Sequence, residues 1–206
     1  MKKILFCMGV LLLGAMSCDD SEPVSARRPD AEGTFTDSRD NTAYRWVRYG
    51  DLEWLCENLR YATAGTMPDT TPVSPNIYDD GRASAYYDRY GYLYTYESAL
   101  TACPEGWRLP TDAEWSAVGD AELRAAEGVA LELGGFYNAE NSRLSDFDAY
   151  VTAFGYYWSA TEDDSKVSNS YAYARRFRYN SPAVERLSIA KDYYLSVRCV
   201  RDRSNH

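Results

Sequence analysis

Hydrophobic and polar positions divide this chain into an apolar leader, a polar spacer and a mixed, tyrosine-rich body. Lys2 and Lys3 precede an apolar run from Ile4 to Ala15, and the chain turns polar at Asp19, Asp20 and Glu22. A basic start, an apolar stretch of about 7–15 residues and a small-residue site at Ser17 predict a cleavable export signal over residues 1–17. The run is too short for a bilayer span, which takes about 20 apolar residues. Residues 19–33 carry two prolines and no apolar period. They read as a flexible tether, leaving residues 34–202 as the folded domain.

Within that body the pattern predicts strands at both ends and helices between. Tyr44 to Tyr49 is β-rich, Gly50-Asp51 signals a turn, and Leu52 to Leu59 resumes an extended apolar pattern. With Thr34 to Asp37 this predicts a meander of two or three strands. Residues 62–82, with Pro68, Pro72 and Pro75, read as a long surface loop. Glu97 to Ala102 is expected to be a short helix that stops before Cys103-Pro104, because the residue before proline is pushed out of the helical region. Thr111-Asp112-Ala113-Glu114 is a capping box, with Trp115 and Val118 on the buried face of the helix it opens. Asp120 is expected to cap a second helical piece through Leu133. Tyr156–Ser159, Tyr171–Tyr179, Val184–Ile189 and the run Tyr193–Val200 read as strands. The fold class is α+β, in an order that lets the first and last strands pair.

Composition narrows the chemistry. Removing residues 1–17 leaves 189 residues, enough for one domain with its own core. It also takes the basic count from 22 to 20 against 31 acids. Such an acidic body excludes nucleic acid or anionic lipid as a partner recognised by charge, because both need a basic footprint. His206, the last residue, is the sole histidine. Ser-His-Asp and Cys-His catalysis and His-based zinc sites are therefore out of reach. Cys7 leaves with the signal, so Cys56, Cys103 and Cys199 face an oxidising compartment beside Cys18. One disulfide and one spare thiol are expected. Cys103 precedes a proline and Cys199 ends a strand-like run, while Cys56 sits among apolar residues as a small hydrophobe. Cys103–Cys199 is the expected bridge.

The stretch Leu13-Gly14-Ala15-Met16-Ser17-Cys18 resembles a bacterial lipobox of the permissive kind found in Bacteroidota. The resemblance implies that Cys18 becomes a lipidated N-terminus. Acids directly after that cysteine are similar to the signal that sends lipoproteins of those bacteria to the outer surface. Two or three acyl chains, at about 0.8 kcal/mol per buried CH₂, hold firmly where one would not. The expected address is the outer membrane, exposed at the cell surface.

Five further blocks carry a family resemblance. Asp37-Ser38-Arg39-Asp40 with Trp54-Leu55-Cys56-Glu57-Asn58-Leu59, then Gly91-Tyr92-Leu93-Tyr94-Thr95, then Ala102-Cys103-Pro104 with Gly106 to Trp115, then Tyr157 to Glu162, and finally Ser196-Val197-Arg198-Cys199-Val200 fall in one order. They resemble the Fibrobacter succinogenes major paralogous domain over about residues 34–202. That family is similar to the C-type lectin-like fold, in the variant shared with formylglycine-generating enzymes. The resemblance implies a curled antiparallel sheet with two flanking helices and long loops. It also places Cys103 and Cys199 on matching positions. Cys56 departs from the pattern, where a small residue is usual. Tyrosines replace a cysteine pair common around Ile77 to Arg89.

No catalytic residue and no cofactor are expected. The formylglycine-generating enzymes need a reactive cysteine pair near their C-terminus, and here only Cys199 lies in that half. Glu162-Asp163-Asp164, with Asn169 nearby, is the one acid cluster with the hard oxygen ligands that suit calcium, though such a run more often forms a solvated loop. A carboxylate-pair glycosidase needs only two acids about 5–9.5 Å apart, and no motif favours it. Trp107, Trp115 and Trp158 fall in family blocks and read as core. Tyr86, Tyr90, Tyr137 and Tyr171 read either as a recognition face or as cover for the sheet, since rigid aromatic groups serve both ends. The expected function is a surface-displayed, non-enzymatic binding or adhesion module for a glycan or protein. The alternatives are a structural component of a surface or fimbrial assembly, and a carbohydrate-active enzyme.

Overall fold

A computed structural model describes residues 25–64, 66–67, 87–138 and 153–203. The export signal, Cys18, the acids that follow it, Tyr86 and most of the 62–82 loop lie outside these residues. Two sheets, three short helices and a further helical turn over residues 87–90 make up the described fold. The first sheet begins as the predicted meander: β1 (Ala31–Thr36), β2 (Ala43–Tyr49) and β3 (Leu52–Leu55), each antiparallel to the next. Strand β1 opens at Ala31, three residues before the expected domain start. Its register holds Ala31 opposite Arg48, and Asp30 reaches across to accept from the Gly50 N–H at 2.7 Å. The last strand, β11 (Val200–Asp202), pairs β3 rather than β1. First and last strands therefore share a sheet, in the order β1-β2-β3-β11, but lie at opposite edges. Strand β3 is buried over Glu53, Trp54 and Leu55 and takes a partner on each side.

The second sheet runs β4 (Thr66–Met67), β5 (Leu93–Tyr94), β10 (Tyr193–Ser196), β7 (Phe154–Glu162), β8 (Tyr171–Arg178) and β9 (Val184–Ala190), with β6 (Tyr137–Asn138) also on β10. Strand β4 falls inside the predicted 62–82 loop. All its pairings are antiparallel except β10 with β7, where Ser196 lies opposite Tyr157. Gly91 leads into β5 at a φ of +71°, and a Cβ there would stand 2.6 Å from the Leu59 carbonyl. Only glycine lets the Tyr92 N–H close on that carbonyl at 3.0 Å.

The run Tyr193–Val200 is two strands in two sheets. Val197, Arg198 and Cys199 carry the chain across, with the Val197 carbonyl accepting from the Leu59 N–H and the Cys199 carbonyl from the Leu55 N–H. Arg198 fills the crossing with 0% exposure. Its Nη1 donates to the carbonyls of Leu55 (3.2 Å) and Val129 (3.0 Å). Its Nη2 donates to Asn58 Oδ1 (2.7 Å) and the Ala130 carbonyl (3.1 Å). Backbone that leaves a sheet must find other partners when buried, and a guanidinium fork supplies several at once.

The helices follow their local signals. Helix α1 (Tyr96–Ala102) is capped by Thr95, whose hydroxyl accepts from the Ser98 N–H, and ends at Cys103 before Pro104. Helix α2 (Asp112–Ala117) has the full capping box between Thr111 and Glu114, and Arg108 grips the same carboxylate at 2.6 and 2.8 Å. Helix α3 (Asp120–Arg124) is far shorter than the span expected to Leu133, and Gly119, not Asp120, occupies the cap position. The chain doubles back instead, with Val129 N–H on the Glu122 carbonyl and Leu131 N–H on the Leu123 carbonyl, both at 3.0 Å. Gly128 permits the fold-back, since a Cβ there would meet the Glu122 carbonyl at 2.1 Å. The carbonyls of Ala126, Glu127 and Gly128 go to the Arg45 guanidinium.

Trp107, Trp115 and Trp158 are core residues as expected, and Trp115 and Trp158 anchor their indole N–H groups on the carbonyls of Trp158 and Tyr94. Cys103 and Cys199 form the disulfide, with Cα atoms 5.9 Å apart, tying the end of α1 to the crossing. Cys56 is free and buried, and burial pushes its thiol up to about 11. A thiol so protonated is a poor nucleophile. In the mature chain carrying Cys18→Ser, a thiol-specific reagent is expected to label nothing under native conditions and Cys56 once guanidinium is added. Rapid native labelling would contradict this packing.

Candidate functional site

The acid run at the end of β7 does not converge. Glu162 ends the strand while Asp163 and Asp164 lie in the turn that follows, and the three carboxylates separate. Glu162 pairs Lys191 at 2.8 Å. Asp163 turns inward to 2% exposure and closes the following turn, accepting from the Ser165 hydroxyl (2.5 Å), the Ser165 N–H (3.2 Å) and the Tyr173 hydroxyl (2.8 Å). Asp164 and Asn169 are exposed. Among the described residues no group of three potential metal ligands forms. The Ser165 hydroxyl, helped by Tyr173, holds the Asp163 carboxyl well below the usual carboxylate range. A folded-state pKa below the unfolded one gives stability that is complete above about pH 4 and fades as pH falls further. Thermal melts from pH 6 to pH 2.5 are expected to show a steeper loss for the wild type than for Asp163→Asn. Equal slopes would remove Asp163 from the acid transition.

A second polar cluster ties α2 to the sheet. Asp112 takes Arg175 at 2.6 Å on one oxygen and Arg186 at 2.8 Å on the other, and Arg186 lies 3.5 Å over the Tyr173 ring. Asp112 thus bridges two arginines and joins α2 to β8 and β9.

The tyrosines proposed as one face part company. Tyr90 and Leu93 form a small buried cluster against which Tyr87, Tyr137 and Tyr194 pack. Tyr87 stacks on Tyr92 at 5.0 Å, Tyr137 meets Tyr194 edge-on at 5.6 Å, and Phe136 stacks on Tyr193 at 5.7 Å. Tyr90 itself is buried and covers the sheet. Tyr171 starts β8 elsewhere, with Lys166 as its neighbour at 5.8 Å.

Beside Tyr90 opens a groove of about 260 Å³. Tyr90, Leu131 and Phe177 form an apolar floor. Arg89, Arg124 and Glu132 line its rim, and Tyr179, 68% exposed, stands at one side. Arg89 lies 5.0 Å over the Tyr90 ring and Arg124 5.0 Å over that of Phe177. Arg124 also donates to the Arg178 carbonyl at 3.0 Å, and burial lowers its pKa without discharging it. Among the described residues, no carboxylate lies within ion-pair reach of Arg89 or Arg124. Sequence reasoning found Tyr90 and missed the rest, because the groove draws on four separated segments. Its one local sign was a large aromatic, Tyr179, beside the polar turn Asn180-Ser181-Pro182.

Residues 47–125 match the family model described as the Fibrobacter succinogenes major domain. The match supports that family. It runs from β2 through α3 and takes in the Trp54–Leu59, Gly91–Thr95 and Gly106–Trp115 blocks, together with Cys103, Arg89, Tyr90 and Arg124. Leu131, Phe177, Tyr179 and Cys199 lie beyond it. No curated protein and no solved structure matches the chain.

Proposed function

We propose that this chain is an outer-membrane lipoprotein, anchored through Cys18 and displayed at the cell surface as a non-enzymatic binding module for a glycan or protein ligand. The groove beside Tyr90 carries this reading: an apolar floor, an exposed tyrosine and two arginines stacked on rings give contact area and orienting donors at low entropy cost. We read the architecture as a C-type lectin-like variant. Support comes from the return of β11 to the sheet of β1–β3 and from the bridge between α1 and the crossing. Glycan and protein arrays probed with the mature chain carrying Cys18→Ser test the binding reading. Retention of at least one ligand class is expected, and a folded chain that retains nothing would refute it. Protease shaving of intact cells tests the address, with release of the domain expected.

A structural role in a surface assembly is the second reading. The observation in its favour is β9, an edge strand of the larger sheet among the described residues, whose outer side is open to strand addition. Partners that co-purify in fixed ratio after gentle detergent extraction would favour it.

A further inference from the structure

We propose that the groove between Tyr90 and Tyr179 is a subsite for a sugar carrying a carboxylate, held by Arg89 and Arg124 while its ring stacks on Tyr179. The proposal rests on the binding-module reading and names the ligand class and the residues. Three observations carry it.

The first is charge. The body is strongly acidic, with 31 acidic side chains against 22 basic in the whole chain. Most arginines of the fold are matched: Arg39 with Asp37, Arg108 with Glu114, Arg175 and Arg186 with Asp112, Arg176 with Glu185. Among the described residues several arginines have no acid partner, and Arg89 and Arg124 are two of these that share one groove, each 5.0 Å from the centre of an aromatic ring. A guanidinium offers its N–H donors in a planar fork, the geometry that suits a carboxylate. Glu132 on the same rim adds an acceptor for ligand hydroxyls.

The second is shape. A volume of about 260 Å³ lies below the range of roughly 300–1,000 Å³ typical of drug-sized ligands, so it suits one or two sugar rings. The floor is apolar and the wall at Tyr179 is exposed, which suits a ring with an apolar face and a polar edge.

The third sets the sugar apart from an acidic peptide. Extended peptides bind by pairing with free backbone. Here the lining strand of coil is already committed: Leu131 N–H bonds the Leu123 carbonyl, and the Glu132 N–H and carbonyl both bond the Tyr157 hydroxyl at 2.7 and 2.8 Å.

The test uses the mature chain carrying Cys18→Ser with four probes: trigalacturonate, its methyl ester, sialyllactose and lactose, followed by calorimetry at two salt concentrations. The acid probes are expected to bind at least about tenfold more tightly than their uncharged counterparts, the difference shrinking with salt. Preference for trigalacturonate or for sialyllactose distinguishes a uronate from a sialate. Arg89→Gln and Tyr179→Ala, both surface changes, are each expected to weaken binding about tenfold with an unchanged melting temperature. Arg124→Gln is expected to weaken binding as well, with some loss of melting temperature because Arg124 also bonds the Arg178 carbonyl. Equal binding of acid and ester, or full binding by Arg89→Gln and Tyr179→Ala, overturns the proposal. If neutral glycans or proteins bind and these variants leave that binding intact, the subsite is refuted while the binding module stands. A folded chain that binds nothing refutes both.

Discussion

Replacing Cys103 and Cys199 together by alanine is expected to lower the stability of the domain by about 4–5 kcal/mol. The bridge spans 96 residues of sequence, and in the chain-entropy description a loop near 100 residues is worth about 4.7 kcal/mol through restriction of the unfolded chain. Cys199 is also buried, so its truncation leaves unfilled space at the crossing between sheets. For a domain of this length each kcal/mol moves the midpoint by roughly 2–4 °C, which places the melting temperature about 10–20 °C lower. Dithiothreitol added to the wild type should reproduce most of the drop and should leave the double variant unmoved. A fall of less than about 3 °C would mean that the packing around α1 and β11 fixes the crossing without the bridge.

That bridge was legible in the sequence for reasons that apply to part of the fold only. Turn chemistry at Gly50-Asp51, the capping box at Thr111 and the proline after Cys103 act within a few residues. They placed β2, α1 and α2 closely and the start of β3, which ends at Leu55 rather than running on to Leu59. Their place in the family blocks likewise marked Trp107, Trp115 and Trp158 as core, where all three lie. The misses are non-local. The fold-back at Gly128 is hard to see within Asp120–Leu133, because the guanidinium that takes up its carbonyls belongs to Arg45, far earlier in the chain. The β-rich run at Tyr193–Val200 carries one hydrophobic pattern across two sheets, and only the partner strands, β7 and β3, reveal the break. The candidate site suffers most. Its arginines look like any surface charge in sequence, and their lack of acidic partners among the described residues is a property of the assembled groove.

Arg198→Met is expected to destabilise the domain by about 3–5 kcal/mol, more than any surface substitution. The side chain is wholly buried, and among the described residues no carboxylate pairs with it. Its charge is met instead by three carbonyls and the Asn58 side chain. Burying a guanidinium this way is expensive, so methionine recovers part of the loss by removing the charge and keeping much of the volume. The four acceptors are the larger consideration. Each loses its donor in a site that excludes water, at about 1–3 kcal/mol apiece before relaxation. Two of them, Val129 and Ala130, belong to the coil that follows the Gly128 fold-back, and Ala130 sits at a φ of +55° that the guanidinium contact helps to hold. Arg198→Lys separates charge from geometry. An ammonium keeps the charge but is a point donor, unable to serve both arms of the fork, so about 2–4 kcal/mol is expected to be lost. Urea titrations of the two variants and the wild type decide the matter. A lysine variant as stable as wild type would show that charge alone holds the crossing. A methionine variant within about 1 kcal/mol of wild type would show that the four oxygens find other donors.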